Sequence, residues 1–292
     1  MTEALSLRHQ AEELAAPLPP LLAEAEHLAT TVILGAHGRR RAGAGDEFWQ
    51  YRPVTSSDSA RLIDWRRSAR SDDAHFVREK EWQAAQTLQI WVDGAQSMGF
   101  SSDDTLPPKG QRARTLALAI AILMIRAGER VGLSGHKLPP RSGEVQLMRL
   151  AQVLSTQGED ADYGTPEARG MQSHSRALFA SDFLGDIEPA EAALTKAADR
   201  GVKGVLLMVL DPQEEAFPFQ GRTRFQSMSG AIEYETLKAN NLRDRYLDRL
   251  AERKARLEDL ARLTGWQFRC HHTDAAAQPT LLWLYSALER VR

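Results

Sequence analysis

The fold is decided by the stretch Leu88-Gln89-Ile90-Trp91-Val92-Asp93-Gly94-Ala95-Gln96-Ser97-Met98. Its first five residues are apolar apart from Gln89, which is typical of a strand buried on both faces of a sheet. The strand ends at Asp93, and small or hydroxyl-bearing residues follow. A parallel sheet presents oxygen ligands at its carboxyl edge in this way. We therefore expect Asp93 to lie at a ligand-binding edge of an α/β sheet.

Strand-like and helix-like segments alternate from residue 87 onward. Apolar runs of strand length occupy residues 88–93, 130–135, 177–183, 202–210 and 266–271, with a hairpin pattern at 221–235. Helical patterns occupy residues 112–127, 146–155, 189–200, 237–263 and 281–291. This alternation predicts a mostly parallel central sheet flanked by helices. We expect an N-terminal helical segment at 1–34, an inserted β-rich block at 35–86 and the α/β domain at 87–292.

The composition is that of an ordinary globular protein. The 292 residues are 42% hydrophobic and 26% charged, and the formal net charge of -2 attracts neither nucleic acid nor an anionic membrane. The single cysteine, Cys270, excludes an internal disulfide, which fits a reducing cytoplasm. The N-terminus lacks the pattern of a secretory signal, and the longest apolar stretch, at 116–125, is about half the length of a membrane-spanning helix. We expect a cytoplasmic protein with no membrane span and no nucleic-acid partner.

Three of the predicted strands end in an aspartate, namely Asp93, Asp182 and Asp211. Hard cations prefer carboxylate and hydroxyl oxygens, so Asp93, Ser97 and Asp182 are candidate ligands of one divalent cation. Thr165, in the loop at 163–166, is a candidate for a further hydroxyl ligand. The alternative is that these residues only cap helices or satisfy loop amides.

The strand, its Asp and the Ser four residues later are similar to the von Willebrand factor A fold. The metal-ion-dependent adhesion site of that fold has the pattern Asp-x-Ser-x-Ser, with a Thr and an Asp from later loops. An upstream block resembles the signature of the bacterial domain-of-unknown-function 58 family, in which it precedes a von Willebrand factor A-like domain. The matching residues are Phe48, Tyr51, Asp58, Arg61-Leu62-Ile63-Asp64-Trp65, Ser68-Ala69-Arg70 and Arg78-Glu79. The resemblance covers roughly residues 35–215 and implies adhesion-site roles for Asp93, Ser97, Thr165 and Asp182.

The chain departs from the adhesion motif at Ala95, which stands where the motif has its middle Ser. One oxygen ligand of about six is therefore missing, and Mg²⁺ demands near-octahedral geometry, although water can substitute. We expect Mg²⁺ binding at this edge to be weak or absent.

The signature block brings opposite charges close together in sequence. Its arginines are Arg61, Arg66, Arg67, Arg70 and Arg78, and its acids are Asp58, Asp64, Asp72, Asp73 and Glu79. Arginine forms bidentate pairs with carboxylates, so one interpretation is a structural lattice of ion pairs. The other is a partner-binding surface made of Arg61, Asp64, Trp65 and Arg70. Trp65 and Arg70 would be its anchors, because Trp and Arg are enriched among binding hot spots.

The resemblance implies a non-enzymatic protein-binding adaptor or co-chaperone of a MoxR-type AAA+ ATPase, because the family's genes commonly sit beside a gene for such an ATPase. The partner would dock at the degenerate metal-ion-dependent adhesion site on the carboxyl edge of the sheet. A second hypothesis is a metal-assisted hydrolase on an α/β sheet, with Asp93 and Asp182 holding the ion. The sequence shows no further general base near these loops. A third is a structural subunit whose helix at 237–263 packs on another chain, although the charged exposed face of that helix is more typical of a solvated helix.

Overall fold

The computed structural model describes residues 20–32, 40–43, 47–55, 59, 61, 63–70, 75–83, 85–156, 158, 161–168, 170–230 and 233–289. The chain divides into two compact units. One consists of Met1–Leu34 and Thr87–Arg292, and the other of Gly35–Gln86.

The helices and strands follow one another in this order: α1 (Pro20–Thr30), β1 (Arg40–Gly43), β2 (Glu47–Pro53), α2 (Trp65–Ser68), β3 (Phe76–Gln83), β4 (Thr87–Val92), a 3₁₀ helix (Gln96–Gly99), α3 (Lys109–Arg126), β5 (Arg130–Leu133), β6 (Leu138–Arg141), α4 (Glu144–Thr156), β7 (Arg176–Ser181), α5 (Glu188–Asp199), β8 (Lys203–Leu210), α6 (Pro212–Ala216), β9 (Thr223–Gln226), β10 (Glu233–Thr236), α7 (Asn240–Thr264), β11 (Gln267–His272) and α8 (Ala277–Glu289).

A six-stranded sheet in the order β11-β8-β7-β4-β5-β6 forms the centre of the larger unit. Five of its strands run parallel, and β6 pairs antiparallel with β5 at one edge. A separate two-stranded hairpin of β9 and β10 lies where the sequence predicts one.

Alternate residues of the central strands pack into different cores, as the two-residue period of a strand requires. In β4, Ile90 and Val92 join the core formed with α1, α3, α4 and α8, whereas Trp91 joins the core formed with α5 and α7. Leu178 and Phe179 of β7 divide in the same way. Helices therefore cover both faces of the sheet, and the prediction of a mostly parallel sheet flanked by helices is confirmed.

Helix α3 is buried on all sides along its apolar stretch. Every residue from 116 to 125 is less than a tenth exposed, because the helix lies between the sheet and the helices α1, α4 and α8. A helix that is apolar on every face is stable only in such a position. This burial fixes the start of α3, at Lys109, close to the carboxyl edge of the sheet.

Strand β6 lies where the sequence patterns predict no strand. It contains Pro139 and Pro140, which cannot donate backbone hydrogen bonds and are therefore tolerated only at a sheet edge. Gly132 in β5 permits their close approach, since a Cβ at this position would lie 2.8 Å from the Pro140 nitrogen.

The smaller unit contains a three-stranded antiparallel sheet in the order β1-β3-β2. Asp64 caps the short helix α2, and its Oδ1 accepts a hydrogen bond from the Arg67 amide at 2.9 Å. Ser68 Oγ accepts a hydrogen bond from the Phe76 amide at 2.9 Å, which ties α2 to β3.

Among the residues that the structure describes, none of the helices combines the length and the apolarity that crossing a bilayer requires.

Candidate functional site

The carboxyl ends of β4 and β7 meet at the centre of one edge of the sheet. The two strands are neighbours, but the chain leaves β4 toward β5 on one side and leaves β7 toward β8 on the other. Ligands of α/β sheets bind at such a switch point, outside the carboxyl ends of the strands. Asp93 follows β4 and Asp182 follows β7, and each residue is 1% exposed. The structure thus brings the two predicted carboxylates to the switch point.

Hydrogen bonds from protein groups hold Asp93 in place. Its Oδ1 accepts from the Ala95 amide at 2.8 Å, and its Oδ2 accepts from Ser181 Oγ at 2.6 Å. Ser181 Oγ also accepts from the Phe183 amide at 3.0 Å. Asp93 therefore satisfies a loop amide and links the ends of β4 and β7. The sequence does not single out Ser181, because its contact with Asp93 joins residues 88 positions apart.

The loop at 161–166 closes over the 3₁₀ helix that follows β4. The amides of Gln96 and Ser97 donate to the carbonyls of Ala161 and Asp162 at 2.9 and 3.0 Å. These two hydrogen bonds position the loop, and with it Thr165, at the carboxyl edge.

The two predicted hydroxyl ligands differ in their surroundings. Thr165 is exposed. Ser97 Oγ is shielded from solvent and has no hydrogen-bond partner in the described part of the chain. Of the four predicted metal ligands, Asp93 and Asp182 are engaged by protein donors, and Ser97 alone offers a shielded, unpaired oxygen.

Gly164 lies directly against the Asp93 carboxylate. A Cβ at position 164 would be 2.2 Å from Asp93 Oδ1 and 2.7 Å from its Cγ, and the buried Asp93 cannot move without losing its hydrogen bonds. We expect Gly164→Ala to lower the free energy of unfolding by about 1–3 kcal/mol, the usual cost of overpacking, as measured by urea denaturation. The matched control is Gly158→Ala, where a Cβ would meet no atom of the described residues within 4 Å. Equal, small effects of both substitutions would contradict this placement of the loop.

A buried ion triad joins three segments at the same edge. Lys109 Nζ lies 2.8 Å from Asp182 Oδ2 and 2.7 Å from Glu214 Oε1. The side chains of Lys109 and Asp182 are each 1% exposed, and that of Glu214 is 17% exposed. The triad connects the start of α3 with the loop after β7 and with α6, which follows β8.

Burial and the two carboxylates shift the pKa of Lys109 in opposite directions. Burial alone lowers the pKa of the ammonium, but Asp182 and Glu214 together outweigh it, so that the pKa of Lys109 is raised above its ordinary value. Burial raises the pKa of the Glu214 carboxyl, and Lys109 offsets this only in part. The raised pKa keeps the Lys109 ammonium charged at neutral pH, which disfavours a role as a base or a nucleophile.

Neither Lys109 nor Glu214 is among the residues predicted from sequence, although each carries a local signal. Lys109 begins an apolar helix, where the helix dipole disfavours a cation. Such a lysine indicates that acidic partners lie nearby. Glu214 belongs to a capping box with Asp211, whose amide donates to Glu214 Oε2 at 2.9 Å. The pattern Asp-x-x-Glu predicts that cap but not the ion pair.

The side chains at this edge do not fit Mg²⁺. Ala95 offers no hydroxyl, and Asp182 Oδ2 already accepts a hydrogen bond from Lys109. A divalent ion about 4 Å from the ammonium would be repelled by roughly 8 kcal/mol at an effective dielectric constant of about 20, twice the value for two unit charges. Cation binding this close to Lys109 is therefore strongly disfavoured while Lys109 stays in the triad.

A small cavity opens beside the two aspartates. Its volume is about 10 Å³, which is room for about one water molecule. Residues that line it include Asp93, Tyr163, Asp182, Phe183 and Arg253. Arg253 Nη1 donates to the carbonyls of Phe183 and Gly185 at 3.2 and 2.8 Å. These bonds hold Phe183 at a φ of 49°, a left-handed conformation that non-glycine residues adopt mainly where the surroundings enforce it.

The rim of the edge presents exposed apolar side chains. Tyr163 is 42% exposed and Met228 is 47% exposed. The hairpin tip that carries Met228 is attached to the loop at 161–166, because the Ser229 amide donates to Asp162 Oδ1 at 3.0 Å. The hydrogen bonds from Ser229 also lower the pKa of the Asp162 carboxyl. Tyr and Met are both typical of protein contact surfaces.

An aromatic cluster fixes the base of the β9–β10 hairpin. The Phe217 ring stacks on Phe225 with centroids 5.7 Å apart, and it meets Phe219 and Tyr246 at 5.2 and 4.8 Å. The hairpin is thus held to α7, which carries Tyr246, and its tip has a defined position beside the loop at 161–166.

The four residues predicted to bind a partner lie in the smaller unit. Trp65 is 57% exposed, and its ring meets the edge of His75 with centroids 5.6 Å apart. Arg61 and Arg70 are exposed. Asp64 has a structural role as the cap of α2, and its Oδ2 also accepts a hydrogen bond from the Tyr51 hydroxyl at 3.2 Å.

A second group of potential ligands consists of Glu215, Cys270 and His272, with one ligand atom of each within 4.8 Å of the others. His272 Nε2 lies 3.1 Å from Glu215 Oε2, and Lys254 Nζ contacts the same carboxylate oxygen. Burial raises the pKa of Cys270 to about 11, so its thiol is protonated at neutral pH. Glu215 is therefore engaged by Lys254 and His272, and the Cys270 thiol beside them is neutral.

The fold is that of an α/β protein with a doubly wound, mostly parallel sheet. At its switch point, Asp93 and Asp182 are held by hydrogen bonds and an ion pair from the protein itself. The family described as "Protein of unknown function DUF58" matches residues 50–256, which is more than half of the chain. The chain belongs to the DUF58 family.

Three solved structures resemble the chain at low sequence identity. An aerotolerance-related membrane protein from Bacteroides fragilis NCTC 9343, with multiple mutations to serines, is 15% identical at a TM-score of 0.43, over 71% of this chain and 100% of that chain. The conserved hypothetical protein BatB from Bacteroides thetaiotaomicron is 17% identical at a TM-score of 0.40, over 70% and 98%. An uncharacterized membrane spanning protein from Vibrio fischeri is 14% identical at a TM-score of 0.20, over 70% and 100%. No curated protein matches the chain.

Proposed function

We propose that this chain is a non-enzymatic, cytoplasmic protein-binding adaptor or co-chaperone with a von Willebrand factor A-like domain, and that it docks a MoxR-type AAA+ ATPase at the carboxyl edge of its sheet. The topology supports the domain assignment. Counted in chain order within the sheet, β4, β5, β6, β7, β8 and β11 are strands 1 to 6 and lie in the order 3-2-1-4-5-6, with the third strand antiparallel.

The observation that carries the docking proposal is the division of the edge into a closed polar interior and an exposed apolar rim. Inside, Lys109 pairs with Asp182 and Glu214, and Ser181 pairs with Asp93. Outside, Tyr163 and Met228 project from a loop and a hairpin that are hydrogen-bonded to each other. Ligand pockets for small molecules are concave and far larger than the cavity of about 10 Å³ found here, whereas exposed Tyr and Met suit a protein partner.

The rim is also the part of the edge that a partner can reach. In the adhesion-site mechanism that the family resemblance implies, an acidic residue of the partner completes the shell of a shared cation. Lys109 is 1% exposed, so a partner's carboxylate cannot approach its ammonium directly. We therefore propose that the partner contacts Tyr163 and Met228 at the rim.

The metal-assisted hydrolase is the alternative proposal and has less support. Asp93 and Asp182 would hold its ion, but Ser181 and Lys109 already occupy oxygens of these carboxylates. Turnover of generic phosphate esters that is abolished by Asp182→Asn would favour this alternative.

The variant Tyr163→Ser with Met228→Ser tests docking at the rim. We expect it to bind the purified MoxR-type AAA+ ATPase of the same organism at least about tenfold more weakly than the wild type. Truncation of one hot-spot side chain costs about 2 kcal/mol or more, and 1.4 kcal/mol corresponds to about tenfold in affinity. Biolayer interferometry at constant Mg²⁺ and nucleotide concentration measures the affinities.

Two further variants serve as controls. Val145→Ser with Leu263→Ser removes apolar residues that are 68% and 78% exposed at the opposite edge of the sheet, where α4 begins and α7 ends. This variant should bind normally. Trp65→Ser with Arg70→Ser tests the signature block. If that variant lost affinity while the rim variant kept it, docking at the carboxyl edge would be contradicted.

A further inference from the structure

We infer that the ammonium of Lys109 takes the place of a divalent cation at the carboxyl edge, so that the edge is assembled by the protein's own cation and binds no Mg²⁺. The inference concerns the edge that the proposed function uses, but it depends on no partner and would hold if the chain docked nothing there.

The surroundings of Lys109 Nζ are those of a bound cation. Two carboxylate oxygens lie within 2.8 Å of it, one from Asp182 and one from Glu214. The Phe100 ring centroid lies 5.8 Å away, within the range of a cation–π contact. A lysine that is 1% exposed needs such partners, because an unpaired buried charge is strongly disfavoured.

The carboxylate oxygens at the switch point are already engaged. Asp182 Oδ2 accepts from Lys109, and its Oδ1 accepts from the Leu184 amide at 3.0 Å. Asp93 accepts from Ala95 through one oxygen and from Ser181 through the other. A metal ion entering this position would compete with these donors for the carboxylate lone pairs and would be repelled by the Lys109 charge.

The ammonium contacts one of the predicted metal ligands, Asp182, and pairs it with Glu214, a carboxylate that the sequence patterns do not single out. Asp182 follows β7, Glu214 lies in the helix after β8, and Lys109 begins α3. A single cation therefore ties two strand ends to the helix that runs beneath the sheet. Because this cation is covalently part of the chain, the arrangement cannot be removed by a chelator.

Three proteins separate the effect of Lys109 from that of the missing hydroxyl: the wild type, Ala95→Ser, and Ala95→Ser with Lys109→Ala. Ala95→Ser restores the hydroxyl that the adhesion motif has at this position and adds a single oxygen atom. Thermal unfolding of each protein is followed in EDTA, in about 1 mM MgCl₂ or CaCl₂, near the weak end of protein calcium sites, and in NaCl of matched ionic strength. Calorimetric titration with Mg²⁺ or Ca²⁺ alone reports binding directly.

We expect the wild type and Ala95→Ser to show the same Tm with and without the divalent cation, and no binding heat. The variant that combines Ala95→Ser with Lys109→Ala should have a lower Tm that Mg²⁺ or Ca²⁺ raises, because the cation then pairs with Asp182 and Glu214.

Each contrary outcome overturns the inference. A cation-dependent rise in the Tm of the wild type would show that the edge binds metal despite Lys109. The same rise in Ala95→Ser alone would show that the missing hydroxyl, and not Lys109, limits binding. A folded combined variant that binds neither ion would show that Lys109 does not occupy a cation position. If the combined variant does not fold, the wild type and Ala95→Ser decide the matter. None of these measurements involves the ATPase, so their failure is distinct from a failure of the docking proposal.

Discussion

Replacing Lys109 by Met is expected to lower the free energy of unfolding by about 3–5 kcal/mol, the usual cost of removing one partner from a buried ion pair. Met keeps an unbranched apolar side chain of similar length. It leaves Asp182 and Glu214 as neighbouring carboxylates without the ammonium that lies within 2.8 Å of both. Urea denaturation of wild type and variant at neutral pH measures the loss.

Two comparisons identify the cause of that loss. Lys196→Met removes an exposed lysine from α5 and should change stability by no more than about 0.5 kcal/mol. Combining Lys109→Met with Asp182→Asn and Glu214→Gln should recover much of the lost stability, because no buried charge is then left unpaired. A Lys109→Met protein as stable as the wild type would contradict the role assigned to the triad.

Acid should destabilise the protein through His271, by about 3 kcal/mol between neutral pH and pH 4. The residue is 3% exposed, and its Nδ1 lies 3.0 Å from Thr280 Oγ1. Burial, together with the nearby charges of Arg112, His272 and Arg269, lowers the pKa of His271 from 6.5 to about 4. As the pH falls below 6.5, the unfolded chain binds the proton while the folded protein does not, so the free energy of unfolding decreases. A shift of about 2.5 pKa units corresponds to about 3 kcal/mol.

The variant His271→Asn isolates this contribution, since Asn can keep the hydrogen bond to Thr280 but does not titrate. The difference in unfolding free energy between wild type and variant should shrink by about 3 kcal/mol as the pH falls from 7 to 4. His136→Gln, at an exposed histidine, should leave the pH dependence of the wild type unchanged. If His271→Asn and the wild type lost stability in parallel, His271 would not be the cause.

The positions of Asp93 and Asp182 could be predicted from sequence because each directly follows an apolar strand. When two strands are parallel and adjacent, their carboxyl ends lie at the same edge of the sheet. The local pattern of an apolar strand followed by Asp is then sufficient to place both aspartates at that edge. The helices on both faces follow in the same way from the alternation of strand-length and helix-length segments. Strand β6 could not be predicted in this way. Its two prolines are tolerated only in an edge strand, and the order of the strands in the sheet cannot be deduced from local sequence patterns.

The partners of those aspartates could not be predicted, because the contacts are long-range. Lys109 is 73 residues from Asp182 and 105 residues from Glu214 in sequence. The sequence pattern suggests a metal ion between the acids, since carboxylates and hydroxyls are what a hard cation binds. Only the folded chain brings the first residue of α3 to them. The local sequence signal for these partners is a lysine at the N-terminus of an apolar helix, where the helix dipole disfavours a positive charge.

In the signature block, the neighbours Asp64 and Trp65 support different interpretations of the sequence. Its carboxylate caps α2 and accepts from Tyr51, which is a structural role. Its neighbour Trp65 is 57% exposed and keeps the properties of a binding anchor. The two predicted docking surfaces, this block and the carboxyl edge, therefore have to be separated by experiment.

Hydrogen exchange of the protein alone and in complex with the purified MoxR-type AAA+ ATPase tests the central proposal most directly, because it locates the contact without a substitution. We expect slower exchange of the amides in residues 96–99, 161–166 and 227–230, the segments that form the rim of the carboxyl edge. Exchange that slows only in residues 61–70, or that is unchanged throughout the chain under conditions where the ATPase is saturating, would contradict docking at this edge.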